Sequence, residues 1–195
     1  MPLRTSTETR LLDAADELFF SQGINLTPVD AVLARAGVSA ATMYRGYASK
    51  EALVAATLER RHRAWMDVWR DAADEAATPR DALLAVFDAL DRFGARPLGA
   101  RWCAFLGAAA EYLDPPDEIV LALARDTDTL RDGLRDRAAP VVGDGAASAV
   151  AEQLLLVVSG HLAMRLRRDD LDTSVARSVA VALLDAAWAN GRARG

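Results

Sequence analysis

Helix start and stop signals recur along the whole of this 195-residue chain, and no segment shows the alternation of a half-buried strand. The tetrapeptides TPVD at 27–30 and TPRD at 78–81 each set a capping hydroxyl before a proline and an acid. Gly23 and Gly37 each follow an apolar stripe with helical spacing, as a glycine that ends a helix does. The sequence therefore predicts an all-α fold of about nine helices.

The same signals predict where the helices begin and end. A capping box of Thr5 and Glu8 opens the first helix, Thr27 caps the second, and Ser39 and Ser49 cap the third and fourth. Prolines and a glycine turn, with Pro140 ending the seventh helix, divide the rest of the chain into helices near 79–94, 99–113, 117–138, 146–168 and 173–190.

Composition argues against several classes of protein. A single cysteine allows no intrachain disulfide, and two histidines without a cysteine pair argue against a zinc site. No run of about 18 uncharged apolar residues predicts a membrane span, and residues 1–10 lack the apolar core of a signal peptide. We therefore expect a cytoplasmic protein with no metal, cofactor or membrane partner.

Charge is unevenly distributed along the chain, although its net value of −5 would by itself argue against nucleic acid. Residues 1–63 hold eight positive and seven negative side chains, so this segment is net +1 and the remainder is net −6. Because local charge decides where phosphate can approach, the N-terminal segment stays compatible with DNA.

Two short predicted helices, joined through Ala36-Gly37-Val38, form a candidate helix-turn-helix. Gly37 permits the tight turn, and apolar side chains on the inner faces pack the pair against the first helix. The second of these helices then exposes groups suited to base edges and phosphate, namely Ala40, Ala41, Thr42, Tyr44 and Arg45. Many enzymes also contain such a corner, so the turn alone does not identify a DNA-binding protein.

Several further motifs stand at one family's spacing. They are the AGVS turn at 36–39, the pair Tyr44 and Tyr47, and the SKE tripeptide at 49–51 followed by Leu53. The first helix adds the pattern of Ala15, Leu18, Phe19 and Gly23. On these residues, the segment 5–60 resembles the DNA-binding domain of the TetR family of bacterial transcriptional repressors.

The resemblance implies roles for individual side chains in DNA binding. Thr27 and Lys50 would hold phosphate, and the groove-facing set would be Ser39, Ala40, Thr42, Tyr44 and Arg45. Tyr47 stands where the family usually has phenylalanine, so we expect it to pack with its hydroxyl at the surface. Gly46 occupies a position that is often a phosphate-contacting histidine, which removes one expected contact.

The resemblance also implies a DNA-binding domain over residues 1–50 and a helical domain for dimerisation and ligand binding over 51–195. Apolar stripes with small neighbours on the last two helices suit a two-fold four-helix interface: Val150, Leu154, Val157, His161, Val179 and Leu183. The alternative is that these stripes fill the core of the protomer, since periodicity does not separate core from interface.

An aromatic-rich set is the candidate lining of a ligand pocket: Trp65, Trp69, Phe93, Trp102, Cys103, Phe105 and Tyr112. Residues 101–112 resemble a stretch of one subgroup of the family, in which glycine usually precedes the cysteine and Trp102 stands here instead. The alternative is that most of these side chains are ordinary core.

The resulting expectation is a homodimeric transcriptional regulator, a repressor that binds a palindromic operator in double-stranded DNA and is released by a small-molecule effector of apolar or aromatic character. The alternative is a helical ligand- or protein-binding module with weak or no specific DNA binding. We expect no enzymatic activity. His161 is interpreted as a packing or interface residue, His62 as a solvated surface residue, and Cys103 as a small buried side chain.

Overall fold

A computed structural model describes residues 3–96, 103–168 and 171–192 of the chain. These residues form nine α-helices and no strand. The helices are α1 (Thr5–Gln22), α2 (Val29–Ala36), α3 (Ala40–Gly46), α4 (Lys50–Asp74), α5 (Pro79–Gly94), α6 (Ala104–Glu111), α7 (Asp117–Val142), α8 (Asp144–Arg165) and α9 (Ser174–Arg192). The predicted all-α fold with an N-terminal helix-turn-helix and a C-terminal helical domain is confirmed.

Two compact units make up the chain. The first comprises residues 1–63 and 103–125, and the second comprises 64–102 and 126–195. The long helices α4 and α7 each contribute to both units. The domain boundary at residue 50 that the resemblance implies does not coincide with these packing units, and it stays a prediction.

Several predicted helix ends are confirmed by the hydrogen bonds at the termini. Ser39 Oγ accepts from the backbone N–H of Thr42 at 3.3 Å, and Thr78 Oγ1 accepts from that of Asp81 at 3.1 Å. Ser49 Oγ accepts from the backbone N–H of Ala52 at the start of α4. Gly37 has the left-handed φ of +62° that lets the chain turn sharply between α2 and α3.

Other predicted ends are wrong. Arg4 is the N-cap of α1 and makes no capping bond through its side chain, so Thr5 and Glu8 form no capping box. Pro28, not Thr27, is the N-cap of α2. Pro140 does not end α7, which continues to Val142, because proline removes only one backbone N–H and this position lies in the last turn.

The first unit buries one apolar face of each N-terminal helix. Leu11 and Phe19 of α1, Val32 of α2, Met43 of α3 and Leu53 of α4 are at most 1% exposed. With those faces buried, the opposite face of α3 is left to solvent. The packing thus presents α3 as an exposed helix on a rigid support.

The second unit has a continuous apolar core. Trp69, Phe87, Leu134, Leu154 and Leu184 belong to this core, and each is fully buried. Ion pairs between α5 and α9, Arg80 with Asp185 and Arg177 with Asp88, lie at the surface of this core.

Candidate nucleic-acid interface and helical-domain sites

The exposed face of α3 carries a short chain of polar side chains. Ser39 Oγ and Thr42 Oγ1 are 2.8 Å apart, and Arg45 Nη2 donates to Thr42 Oγ1 at 3.3 Å. Tyr44 is 54% exposed, whereas Met43 beside it is fully buried and anchors the helix. The hydroxyls and the guanidinium are therefore held in fixed positions on one side of the helix, where they can reach phosphate oxygens and base edges.

Thr27 lies inside the unit and not at its surface. Its side chain is fully buried, and its hydroxyl lies 2.7 Å from the Gly23 carbonyl and 3.2 Å from the Leu18 carbonyl, both of which accept hydrogen bonds. The side chain therefore closes the turn between α1 and α2, and the phosphate contact expected of it is wrong for this conformation.

Lys50 is half-buried at the start of α4. Its Nζ donates to the Ile24 carbonyl at 2.5 Å and lies 5.8 Å from the centre of the Phe19 ring. An ammonium has three N–H donors, so two remain for an anion after this bond. Lys50 thus fixes the loop before α2 and keeps the capacity to hold phosphate.

A carboxylate from a distant part of the chain holds the same loop. Glu111, the last residue of α6, accepts from the backbone N–H of Ile24 at 3.0 Å and from that of Asn25 at 2.7 Å. Asn25 Nδ2 donates in return to the Glu111 carbonyl at 2.9 Å. Sequence reasoning does not predict this link, because 86 residues separate Glu111 from Asn25 and no local pattern marks the pair.

The end of α3 is joined to the start of α1. Tyr47 is half-buried, and its hydroxyl donates to Glu8 Oε1 at 3.1 Å. Burial, followed by the Glu8 carboxylate, raises the pKa of Tyr47 to about 12, so this hydroxyl keeps its proton near neutral pH. Tyr47 packs as expected, and its hydroxyl forms an interhelical link.

Four arginines of the first unit have acidic partners, and one of these pairs joins Arg125 to Glu59 at 3.2 Å. Arg35 pairs with Glu17 at 2.8 Å and Arg60 with Asp13 at 2.7 Å on the surface. Arg61 and Asp16 form a pair whose side chains are only 5% and 6% exposed, with N–O distances of 2.9 Å.

The predicted pocket residues that the structure describes are divided between the two units. Trp65, Trp69 and Phe93 lie together in the second unit, with ring centres 6.2 Å apart for the tryptophans and 5.8 Å apart for Trp65 and Phe93. Trp69 is fully buried, and its Nε1 has no hydrogen-bond partner among the described residues. Trp102 lies outside the described residues.

The remaining pocket candidates belong to the first unit. Cys103 and Phe105 are half-buried at the start of α6, and Tyr112 follows its end. The Phe105 ring meets His62 edge to face at 6.4 Å, and His62 is only 6% exposed. The expectation that His62 is solvated is therefore wrong. Burial raises the pKa of Tyr112 to about 12, with neighbouring glutamates adding to the effect.

The predicted dimer stripe on α8 faces the core of its own protomer. Val150 and Leu154 are at most 2% exposed, His161 is 9% exposed, and Val157 packs on the same core. Val150, Leu154 and His161 are therefore packing residues of this protomer, whereas an interface role for the half-buried Val157 stays a prediction. On α9, Val179 is 45% exposed and Leu183 is half-buried.

Several large apolar side chains of α8 and α9 meet solvent, and Val179 is one of them. Leu156 is 73% exposed and Val175 is 69% exposed, and Met164 and Trp188 are about half exposed.

Among the described helices, α8 alone is long and apolar enough to cross a membrane, and 33% of its apolar window is buried within the protein. Within the described ranges, no three His, Cys, Asp or Glu side chains come together as metal ligands would.

A family model described as bacterial regulatory proteins, tetR family, matches residues 11–57, a segment that contains the whole helix-turn-helix. No curated protein matches the chain.

Solved structures match over nearly the full length. A TetR-family transcriptional regulator from Streptomyces coelicolor is 26% identical, with a TM-score of 0.80 over 95% of this chain and 90% of its own. A protein described as a TetR transcriptional regulator from Streptomyces avermitilis is 29% identical, with a TM-score of 0.78 over 93% and 97%. One from Agrobacterium tumefaciens shares the fold at 19% identity, with a TM-score of 0.75 over 92% and 96%.

Proposed function

We propose that this chain, which belongs to the TetR family of bacterial transcriptional regulators, is a cytoplasmic repressor that binds a palindromic operator as a homodimer and is released by a small-molecule effector. The observation that carries the proposal is the exposed polar face of α3 on a buried apolar support. A seven-residue helix is about 10 Å long, which suits a major groove about 12 Å wide.

Each exposed side chain has a role in this proposal. Arg45 holds a guanine edge or a phosphate, Tyr44 reaches across the groove, and Thr42 and Ser39 supply hydroxyl donors. Lys50 contacts the DNA backbone with the N–H donors of its ammonium that do not bind the Ile24 carbonyl. The backbone, not the side chain of Thr27, supplies any phosphate contact at the start of α2.

The dimer forms through the solvent-facing apolar side of α8 and α9. Large apolar side chains exposed on two packed helices are costly in water, and a two-fold partner would cover them as a four-helix interface. A membrane is a poorer occupant, because the opposite side of α8 already belongs to the core through Val150 and Leu154.

The effector site lies in the helical domain, where Trp65 and Phe93 supply aromatic surface for an apolar or flat ligand. Such a ligand releases DNA when it binds one state of the dimer more tightly than the operator-bound state. No catalytic role is assigned to any residue.

The test is selection of the purified protein against random duplex DNA, followed by measurement on the enriched site. Tyr44→Ala and Lys50→Ala should weaken binding and leave the dimer and its helicity unchanged. Leu156→Glu should yield monomers by sedimentation, because the charge enters the apolar interface, and should weaken binding with it. A folded dimer that enriches no sequence at low salt would instead support a ligand-binding module without DNA activity, for which the single cation of α3 is the supporting observation.

A further inference from the structure

We propose that two arginines, Arg4 at the N-cap of α1 and Arg10 within α1, contact the DNA backbone at opposite ends of α3. The inference rests on the proposed DNA binding and adds a surface outside the helix-turn-helix. It predicts that α1 is part of the DNA-binding face as well as a support for α2 and α3.

Arg4 is fixed beside the C-terminal end of α3. A Cβ on Gly46 would lie 2.6 Å from Leu3 Cδ1 and 2.7 Å from Leu3 Cγ, so the Leu3 side chain rests directly on the Gly46 backbone. The bond from Tyr47 to Glu8 joins the same two segments one turn further along α1. Arg4 follows Leu3 immediately and is exposed.

Arg10 lies beside the turn that opens α3. Its Nη1 would be 3.5 Å from a Cβ on Gly37, and Gly37 stands two residues before the cap of α3 at Ser39. From Arg4 to Arg10 a helix rises about 9 Å, and α3 with its seven residues is about 10 Å long. The spacing therefore sets one arginine near each end of α3.

These two arginines are also free to bind an anion. No hydrogen bond or ion pair joins either of them to another side chain within the described part of the chain. Arg10 lines a cleft of about 320 Å³ together with the acids Asp13 and Glu17, and each acid pairs with another arginine. Arg10 therefore adds a positive charge that nothing nearby cancels.

Phosphate is the anion that this placement favours. The exposed face of α3 fits a major groove, and phosphates border the groove on both sides. Arg45 is the one charged side chain of α3, so further cations beside it would contribute much of the affinity. Neutralising phosphates releases counterions, and the logarithm of the affinity then falls with the logarithm of salt by about 0.9 per contact.

The experiment measures binding to the enriched operator from 50 to 300 mM salt for Arg4→Gln, Arg10→Gln and the double variant. A dimer loses two contacts for each substitution. The salt slope should therefore become shallower by about 1.8, and affinity at 0.1 M salt should fall by up to about 60-fold. The loss should be similar for operators that differ in flanking sequence, because phosphate contacts carry no base information.

Arg63→Gln is the matched control. Arg63 is also an exposed arginine of the first unit without a partner in the described residues, and it lies about 20 Å along α4 from Lys50. Its substitution should leave slope and affinity unchanged. Leu3→Ala adds a second test, since it should weaken binding in the wild type and have no further effect in Arg4→Gln.

The outcomes separate the two proposals. If the wild-type protein binds no DNA, the proposed function fails. If the wild type binds and Arg4→Gln and Arg10→Gln match Arg63→Gln in slope and affinity, the role of α1 is refuted while DNA binding stands. A loss confined to particular flanking base pairs would also overturn the phosphate assignment.

Discussion

Glu111→Gln is the substitution that best tests how the loop before α2 is held. The two oxygens of the Glu111 carboxylate accept hydrogen bonds from the backbone N–H groups of Ile24 and Asn25. Glutamine has nearly the same size but only one acceptor oxygen, and its amide group turns a donor toward one of these N–H groups. The substitution therefore removes one bond without creating a cavity.

The magnitude follows from the burial of the two donors. Ile24 is 1% exposed, so an N–H left without an acceptor there costs about 1–3 kcal/mol. Asn25 is exposed, and water can replace the acceptor at its N–H for about 0.5–1 kcal/mol. Loss of the negative charge weakens the bond that remains. Glu111→Gln should therefore lower the free energy of unfolding by about 2 kcal/mol, which is about 4–8 °C in Tm for a chain of this length.

Hydrogen exchange measured by NMR reads the effect at the residue itself. A local loss of about 2 kcal/mol should accelerate exchange of the Ile24 amide by about 30-fold, since each 1.36 kcal/mol is a factor of ten. Urea unfolding gives the global value in parallel. Lys50 still holds the Ile24 carbonyl in the variant, so the loop should loosen and α3 should stay folded.

Glu118→Gln provides the control for loss of a glutamate charge. Glu118 is exposed on α7 and makes no hydrogen bond in the described residues, so its substitution should leave exchange at Ile24 unchanged. Equal exchange rates for the Ile24 amide in the wild type and Glu111→Gln would refute the reasoning, whatever happens to Tm.

Two further predictions concern the second unit. Gly133→Ala would set a methyl 2.7 Å from Cη2 of the buried Trp69 ring. After the gain in helix propensity, the substitution should lower the free energy of unfolding in urea by about 1–2 kcal/mol. Gly145→Ala is the control and should not destabilise the protein, because a Cβ at Gly145 has nothing within 4 Å. Burial, followed by Arg165, lowers the pKa of His161, with Asp91 and Asp172 opposing. Because the pKa of His161 is lower in the folded protein, its contribution to stability is fully present above about pH 6.5, the ordinary pKa of histidine in an unfolded chain. That contribution is lost as the pH falls below this value. The urea midpoint should therefore drop less between pH 7.5 and 5 in His161→Gln than in the wild type, and equal drops would contradict this.

Local signals predicted much of the fold because the chemistry that ends a helix is local. Ser39 and Thr78 cap helices as expected, since a hydroxyl three residues before an orphan N–H needs no help from the rest of the chain. The left-handed turn at Gly37 is likewise a property of one residue. These features positioned the helix-turn-helix, and with it the exposed residues of α3, before any tertiary contact was known.

Features that depend on distant contacts were out of reach. Thr27 is a residue type that often caps helices, but its hydroxyl donates to the carbonyls of Gly23 and Leu18 inside the unit. His62 lies between two arginines, and that pattern suggests a surface, but Phe105 and the fold bury it. Glu111 belongs to a segment that the family motif does not include, so nothing near it in sequence links it to Ile24.

The stripes on α8 show why residue spacing alone does not separate a core face from an interface. On α8, Val150 and Leu154 are four residues apart and form one stripe. Leu156 and Gly160 are also four residues apart and form a second stripe on another side, so the sequence predicts an apolar or small face at both. A helix that is apolar on nearly all sides is normally buried on all sides. Here the protomer covers the side with Leu154 and leaves Leu156 73% exposed. The protomer's own packing therefore decides which stripe is core, and the uncovered stripe is the one that the proposed dimer would bury.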